Sequence, residues 1–268
     1  MLIDLIRRVV PMRVRQDVGL WTAAQAGRFR LLAYLYFFLL CGEIPRNLKL
    51  LSNGDCSVTY SKNEIVAPRD GILAFIEVLQ DRAYEKFWSP RAGDVVLDVG
   101  AYVGMFTLRA AKLIGSTGRV IAVEPESRNL SYLRKNVEHL GNVEVVGEAA
   151  SNKSGEGKLF LSSATPCHTL IYSHKRSTKV KVNTLDNIAT QLNLPRVDFI
   201  KMDIEGSELQ ALEGAINILG GKVRLAIASY HTLRNGSPEL PHIVAFLKSI
   251  EYQTYVSGGY VYAERRTK

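Results

Sequence analysis

Three observations predict an α/β fold built around a mostly parallel sheet. Val95, Val96 and Leu97 run apolar without alternation up to Asp98, as in a strand covered on both faces. From Asp94 onward, short apolar runs alternate with segments of helical spacing, the pattern of βαβ crossovers. The runs stop at acids or glycines, and α/β sheets bind their ligands at the carboxyl ends of such strands.

The elements follow in order. Residues 1–47 read as an amphipathic helical extension. Its apolar run, Leu31 to Cys41, is too short for the roughly 20 residues a membrane span needs. No charged start followed by a small-residue cleavage site suggests a secretory signal. Residues 48–93 read as a small cap: short strands over 48–66, a turn at Pro68-Arg69-Asp70-Gly71, and helical spacing through Ala74, Ile76, Leu79, Tyr84 and Phe87. Residues 94–268 form the main domain. Its first helix runs from Val103 to Ile114, and its second strand from Arg119 to Glu124. A helix capped by Ser127 and closed near Leu140-Gly141 comes next, then a third strand at Val143–Val146. A less regular insertion fills about 150–183. Thr184 caps a helix to Leu192, and Val197–Met202 is the fourth strand. A helix from Ser207 to Leu219 leads to the strand Val223–Ala228. Pro238 or Pro241 opens the last helix, and a hairpin through Gly258-Gly259 ends the chain.

Composition narrows the class. Of 268 residues, 47% are hydrophobic and 22% charged, as in a globular protein with an ample core. Cys41, Cys56 and Cys167 form no close pair, which argues against a disulfide framework or a cysteine zinc site and favours a reducing, cytoplasmic setting. The formal net charge is +8, but residues 1–50 hold eight basic residues against three acidic ones. That asymmetry points to a local basic feature, so a peripheral membrane or partner contact through residues 1–47 competes with simple packing on the chain's own domain.

The motifs then point to a nucleoside cofactor. Asp98-Val99-Gly100-Ala101-Tyr102-Val103-Gly104 has the spacing D-x-G-x-x-x-G, with Tyr102 where a dinucleotide fingerprint wants its middle glycine. This suits a cofactor without a pyrophosphate, such as S-adenosylmethionine, better than a dinucleotide. Glu124 closes the second strand at the position where an acid binds a ribose diol, and a carboxylate has lone pairs for both hydroxyls. The small residues at Gly147-Glu148-Ala149-Ala150 leave room for an adenine ring beside Ala149. Asp203-Ile204-Glu205-Gly206 ends the fourth strand with two acids two apart, a pair that suits a general base or a divalent-metal site. His231, just after the fifth strand, could accept a substrate proton or join a metal site beside them. Asp203, Glu205 and His231 are therefore the catalytic candidates. The cofactor candidates are Asp98, Gly100, Ala101, Tyr102, Gly104, Glu124 and Ala149, and no metal is assigned.

Together these stretches resemble the FkbM family of S-adenosylmethionine-dependent methyltransferases. The similarity rests on Tyr84, the VVLDVGAYVGMFTL run, Ala122-Val123-Glu124-Pro125, Asn136, Val182-Asn183-Thr184-Leu185-Asp186 and Ile200-Lys201-Met202-Asp203-Ile204-Glu205-Gly206-Ser207-Glu208. The resemblance implies a class I methyltransferase (Rossmann-like) sheet of seven strands, ordered 3-2-1-4-5-7-6 with strand 7 antiparallel. It also implies O-methylation of a sugar, glycolipid or secondary metabolite. Asp98, Gly100 and Gly104 would then line the methionine end, Glu124 the ribose and Asp203 the transfer crevice. Tyr102 stands where the family commonly has Asn, and Ser229 and Tyr230 precede His231 where it often has Glu.

Two rivals remain at this level. An RNA methyltransferase is encouraged by a pI near 9.4. However, no Asn/Asp-Pro-Pro-aromatic motif follows the fourth strand, and aromatics are not interleaved with basic residues. No nucleic-acid partner is therefore expected. The other rival is a non-catalytic, membrane-associated binding protein. The oligomeric state is not legible.

Overall fold

The computed structural model describes residues 49–265 except 61–62, 69–70, 72–73, 75–76, 79–81, 163–166, 172–174 and 234. The extension 1–47 lies outside the described residues, as does much of the helical reading across 74–87. Within that reading, Ala83–Glu85 is a single 3-10 turn that carries the buried Tyr84. No described helix is long and apolar enough to cross a membrane. The chain divides into two compact units, one ahead of Arg82 and one formed by Arg82–Ser163 with Cys167–Lys268.

The smaller unit holds three antiparallel strands: β1 (Lys49–Leu50), β2 (Cys56–Tyr60) and β3 (Asn63–Ala67). Cys56, Val58, Ile65 and Ala67 are buried. These apolar positions recur at every second residue, the spacing of one face of a strand, and Ser57 between them is buried as well.

The larger unit is organised by a seven-stranded sheet. Its strands are β4 (Val95–Val99), β5 (Arg119–Val123), β6 (Val143–Val146), β10 (Phe199–Met202), β11 (Arg224–Ala228), β12 (Tyr252–Ser257) and β13 (Tyr260–Arg265). The order is β12-β13-β11-β10-β4-β5-β6, parallel except that β13 runs antiparallel to β11 and β12. This is the expected class I methyltransferase order. β4 and β10 are buried along their whole length, which is why they read as unbroken apolar runs. Register then sets the site. Val99 pairs with Val123 on one side and Met202 on the other, and Met202 pairs with Ile227. Four strands therefore end level, and the segments beginning at Gly100, Glu124, Asp203 and Ser229 leave the sheet along one edge.

Helices α1 (Met105–Ile114), α2 (Ser127–Val137), α3 (Leu185–Gln191), α4 (Glu208–Glu213), α5 (Ile216–Leu219) and α6 (Leu240–Ser249) complete the unit. Three boundaries differ from the sequence reading. Glu126, not Ser127, caps α2, its carboxylate accepting from the Asn129 amide at 2.8 Å. An acid does this as well as a hydroxyl and also faces the positive end of the helix dipole. That helix ends at Val137, short of Gly141. The single helix expected over 207–219 is broken in two at Gly214 and Ala215, and position 214 must be glycine because a Cβ there would stand 2.1 Å from the Ser151 carbonyl oxygen. The Asp186 carboxylate accepts from the amides of Asn217 and Ile218 and holds the start of the second piece.

The insertion is more regular than its sequence suggested. β7 (Ala149–Ala150), β8 (Gly155–Leu161) and β9 (Arg176–Asn183) form a separate sheet in the order β7-β9-β8. In β9, exposed Lys179 and Lys181 alternate with the more buried Val180 and Val182, a strand pattern half-hidden by its charge. Gly157 allows the close pairing, since a Cβ there would meet Val182 Cγ2 at 2.3 Å.

Candidate active site

The glycine turn after β4 is held from below and from one side. Gly100 has φ +76, and a Cβ on it would lie 1.9 Å from the Asp203 carbonyl oxygen. Its lack of a side chain therefore serves a backbone-to-backbone approach between the ends of β4 and β10. At Gly104, φ is +91, and a Cβ would press on Leu133 of α2 at 2.7 Å. The Gly100 and Ala101 amides both donate to the Val123 carbonyl, and the Gly104 amide donates to the Ala101 carbonyl. Tyr102 takes the left-handed conformation at φ +54, uncommon for a non-glycine residue, and its amide donates to Glu124 Oε2 at 3.0 Å.

Asp98 is fully buried. Its Oδ2 accepts from Thr107 Oγ1 at 2.6 Å, and its Oδ1 lies 3.2 Å from Lys201 Nζ. Lys201 is nearly as buried, donates to the Gly100 carbonyl at 2.6 Å and sits over the Tyr84 ring. Asp98 thus anchors the turn through an ion pair within the sheet, with the burial of both charges offset by their mutual contact and hydrogen bonds.

Glu124 leaves β5 into the same edge and is also buried. Besides the Tyr102 amide at Oε2, its Oε1 accepts from the Glu126 amide at 2.9 Å and from Asn129 Nδ2 at 3.5 Å. A carboxylate has about four lone-pair positions, so the three donors leave one, on Oε2. Burial pushes its pKa up to about 7 against the pull of these hydrogen bonds.

The second corner lies at the ends of β10 and β11. Asp203 Oδ2 accepts from the Tyr84 hydroxyl at 2.6 Å, and its Oδ1 lies 3.7 Å from His231 Nε2. Glu205 Oε2 is 3.4 Å from the same nitrogen. Glu205 is another left-handed residue, at φ +56, and Thr169 Oγ1 donates to its carbonyl at 2.7 Å. On the far side of the imidazole, Nδ1 lies 3.1 Å from Oε1 of the fully buried Glu208. Glu208 accepts from the amides of Ile204 and Gly206, and Glu239, buried behind it, accepts from the Leu209 amide. The Tyr230 ring packs against the histidine at a tilt of 60°, with ring centroids 4.4 Å apart.

Charge is strongly redistributed in this corner. Burial works against the His231 cation, but Glu208, Glu205 and Asp203 prevail and raise its pKa well above the usual histidine value. Burial likewise opposes ionisation of Glu208, yet His231 and its hydrogen bonds hold its pKa down at about 2. Burial pushes Glu239 up to about 9 with help from Glu208, so it keeps its proton at neutral pH. Burial also lifts Glu205 to about 7, opposed by His231 and reinforced by Asp203 and Glu208.

The structure therefore brings Asp203, Glu205 and His231 together, and Gly100, Ala101, Tyr102 and Glu124 together. The Gly100–Asp203 backbone contact joins the two corners. Ala149 sits on β7, buried and paired with Val182 in the other sheet. Sequence reasoning did not single out Glu208, Glu239, Lys201 or Thr107. Glu208 stands within the Asp-Ile-Glu-Gly-Ser-Glu run, but nothing marks it as facing inward. Spacing marks Tyr84 as a helical position, and otherwise it enters only through the family resemblance, not as a site residue.

The donor set fits S-adenosylmethionine. The amides of Gly100, Ala101, Tyr102 and Gly104 are spent inside the protein, so the turn offers no amide cradle for a pyrophosphate. The open position on buried Glu124 suits a hydroxyl donor such as a ribose.

Comparison with known proteins finds methyltransferases. A probable cobalt-precorrin-6B C(15)-methyltransferase (decarboxylating) of Saccharolobus solfataricus is 28% identical over 48% of this chain and 64% of its own length. The hexuronic acid methyltransferase AglP of Haloferax volcanii is 27% identical over 52% of this chain and 56% of its own. The chain thus spans less than two thirds of the length of these curated relatives. A crystal structure of a SAM-dependent methyltransferase from Aquifex aeolicus superposes with a TM-score of 0.43 at 17% identity, covering 71% of this chain and 90% of that one. Residues 98–256, more than half of the chain, match the family described as the methyltransferase FkbM domain. The chain belongs to the FkbM family of S-adenosylmethionine-dependent methyltransferases.

Proposed function

We propose that the chain methylates a hydroxyl of a sugar, glycolipid or secondary metabolite, using S-adenosylmethionine as donor. One observation carries this reading. Asp203 Oδ1 and His231 Nε2 are sealed from solvent with no hydrogen-bond partner among the described residues, directly beyond the strand that touches the glycine turn. Buried polar atoms without partners are uncommon and need a reason, and an incoming hydroxyl supplies one.

S-adenosylmethionine, when bound, supplies an electrophilic methyl group. The turn from Gly100 to Gly104 would line its methionine end, and the open position of Glu124 would hold a ribose hydroxyl, with Ala149 toward the base. Asp203 Oδ1 holds the proton of the acceptor hydroxyl. Tyr84, bonded to the other oxygen, fixes the carboxylate's orientation. His231 and Glu205 set the charge around it. Alignment of two reactants accounts for roughly 7–11 kcal/mol of a barrier, and a positioned base for roughly 10²–10⁴-fold. The hexuronic acid methyltransferase among the relatives supports a carbohydrate acceptor.

The test is methyl-transfer turnover of Asp203→Ala against His231→Ala on hydroxylated acceptors. The aspartate variant should lose about 10²–10⁴-fold and the histidine variant less. Near-wild-type rates in both would refute the assignment.

A further inference from the structure

His231 presents a nitrogen that the protein has prepared and not used. Its side chain is 6% exposed, and Nε2 has no hydrogen-bond partner among the described residues. That nitrogen faces Glu205 Oε2 at 3.4 Å and Asp203 Oδ1 at 3.7 Å. Both gaps are too long for N–H···O hydrogen bonds, which close at about 2.7–3.2 Å. They are closer to the spacing of ligands around a shared cation: with bonds of about 2.0–2.2 Å, neighbouring donors at tetrahedral or octahedral angles stand about 2.8–3.6 Å apart. The Glu205 gap falls inside that range, and the Asp203 gap need only close slightly. All three donor atoms lie within 4.8 Å of one another.

We propose that Asp203 Oδ1, Glu205 Oε2 and His231 Nε2 are the protein ligands of a divalent cation of the Mn²⁺ or Zn²⁺ class, bound with positions left open for oxygen atoms of the acceptor.

The surroundings are those of a ligand set. A metal-bound imidazole gives its other nitrogen to a carboxylate that fixes the ring. His231 Nδ1 faces Glu208 Oε1 at 3.1 Å, and Glu208 is pinned by the Ile204 and Gly206 amides. The second oxygen of Asp203 is oriented by Tyr84. Glu205 is held at φ +56, with Gly206 at φ +96 beside it, a backbone conformation that costs energy and is kept where a side chain must be aimed. The Asp203 and Glu205 side chains stay 19% and 22% exposed, which leaves an approach for an ion and an acceptor. A second grouping, Glu208, His231 and Glu239, is the weaker candidate, because its carboxylates already accept backbone amides. One imidazole with two carboxylates selects neither a thiolate metal nor an all-oxygen one, and so favours borderline first-row ions such as Mn²⁺ and Zn²⁺. What the cation does rests on the methyl-transfer reading above: with the cation bound, Asp203 Oδ1 acts through it rather than as the holder of the proton, because a hydroxyl bound to the cation ionises more readily. Its binding does not rest on that reading.

The experiment is Mn²⁺ binding to the chelator-treated full chain, followed by electron paramagnetic resonance, with Zn²⁺, Mg²⁺ and Ca²⁺ as competitors. One Mn²⁺ per chain should bind, with a nitrogen coupling in the spin-echo spectrum that His231→Ala abolishes. Glu205→Gln, which keeps the side chain's shape, should weaken binding at least about tenfold, or about 1.4 kcal/mol. The remote surface variant Glu156→Gln should leave it unchanged. Absence of bound Mn²⁺, or binding indifferent to both Glu205→Gln and Asp203→Asn, overturns the proposal. Calorimetry with S-adenosylmethionine on the same samples separates the two readings. Donor binding without Mn²⁺ binding removes the cation alone, whereas Mn²⁺ binding without donor binding removes the methyl-transfer role alone.

Discussion

Glu124 and Glu205 leave the same edge of one sheet, and burial pushes both pKa values up to about 7, yet they are held in opposite ways. Glu124 is gripped by neutral N–H donors, two of them backbone amides, and keeps a single acceptor position. Glu205 has charges for neighbours: His231 at 3.4 Å, with Asp203 and Glu208 close by. A carboxylate held by backbone amides is fixed in place before a ligand arrives, which suits recognition. A carboxylate held by titrating groups changes its bonding when a proton or cation enters, which suits chemistry. Equal shifts therefore say little about role; the partners decide it.

The contact between the corners offers the largest break. Gly100→Ala forces a Cβ against the Asp203 carbonyl and demands a left-handed alanine. Overpacking costs about 1–3 kcal/mol and the backbone conformation about 1–2, so urea denaturation should show a loss of about 2–5 kcal/mol. Gly258→Ala is the matched control. It shares the positive φ, at +62, but its Cβ meets nothing within 4 Å, so about 1–2 kcal/mol is expected. Equal losses in the two would mean that close approach between the corners matters little.

Next comes the division of labour itself. Glu124→Gln removes a charged acceptor and should weaken S-adenosylmethionine binding by about 10–100-fold, from the roughly 1.5–3 kcal/mol of a hydrogen bond to a charged group. Its turnover at saturating donor should change little. Glu205→Gln should do the reverse, lowering turnover at nearly constant donor affinity. Calorimetry and saturation kinetics on both variants read the crossing, and parallel behaviour would dissolve the distinction between the corners.

How much of this was visible in advance follows from burial. Strands packed on both faces, such as Val95–Val99 and Phe199–Met202, leave unbroken apolar runs, and the acids ending them stand out because little else there is polar. The insertion was obscured because one face of β9 is solvated and its lysines interrupt the pattern. Lys201 was hidden for the opposite reason: a lysine in a strand reads as exposed, and only the Asp98 pairing across β4 and β10 explains its burial. Glu208 and Glu239 lie 31 positions apart and meet only after β11 has been laid beside β10. The need for glycine at 214 comes from the Ser151 carbonyl, which no local pattern announces.

A last comparison separates the corners by pH. The native pKa of Glu124, about 7, lies above its ordinary value of 4.5. The folded state thus prefers the protonated acid. The resulting stabilisation is fully present below pH 4.5 and is lost as pH rises through 7. Glutamine cannot ionise, so Glu124→Gln lacks this loss. Its amide group must, however, face the Tyr102 N–H, leaving that donor poorly paired at about 1–3 kcal/mol. The variant should therefore be less stable than wild type at pH 4.5, with the gap narrowing by up to about 3 kcal/mol between pH 4.5 and 8. Denaturation series at the two pH values measure the narrowing directly. A gap independent of pH would mean that Glu124 stays ionised in the folded chain and that its amide grip outweighs its burial.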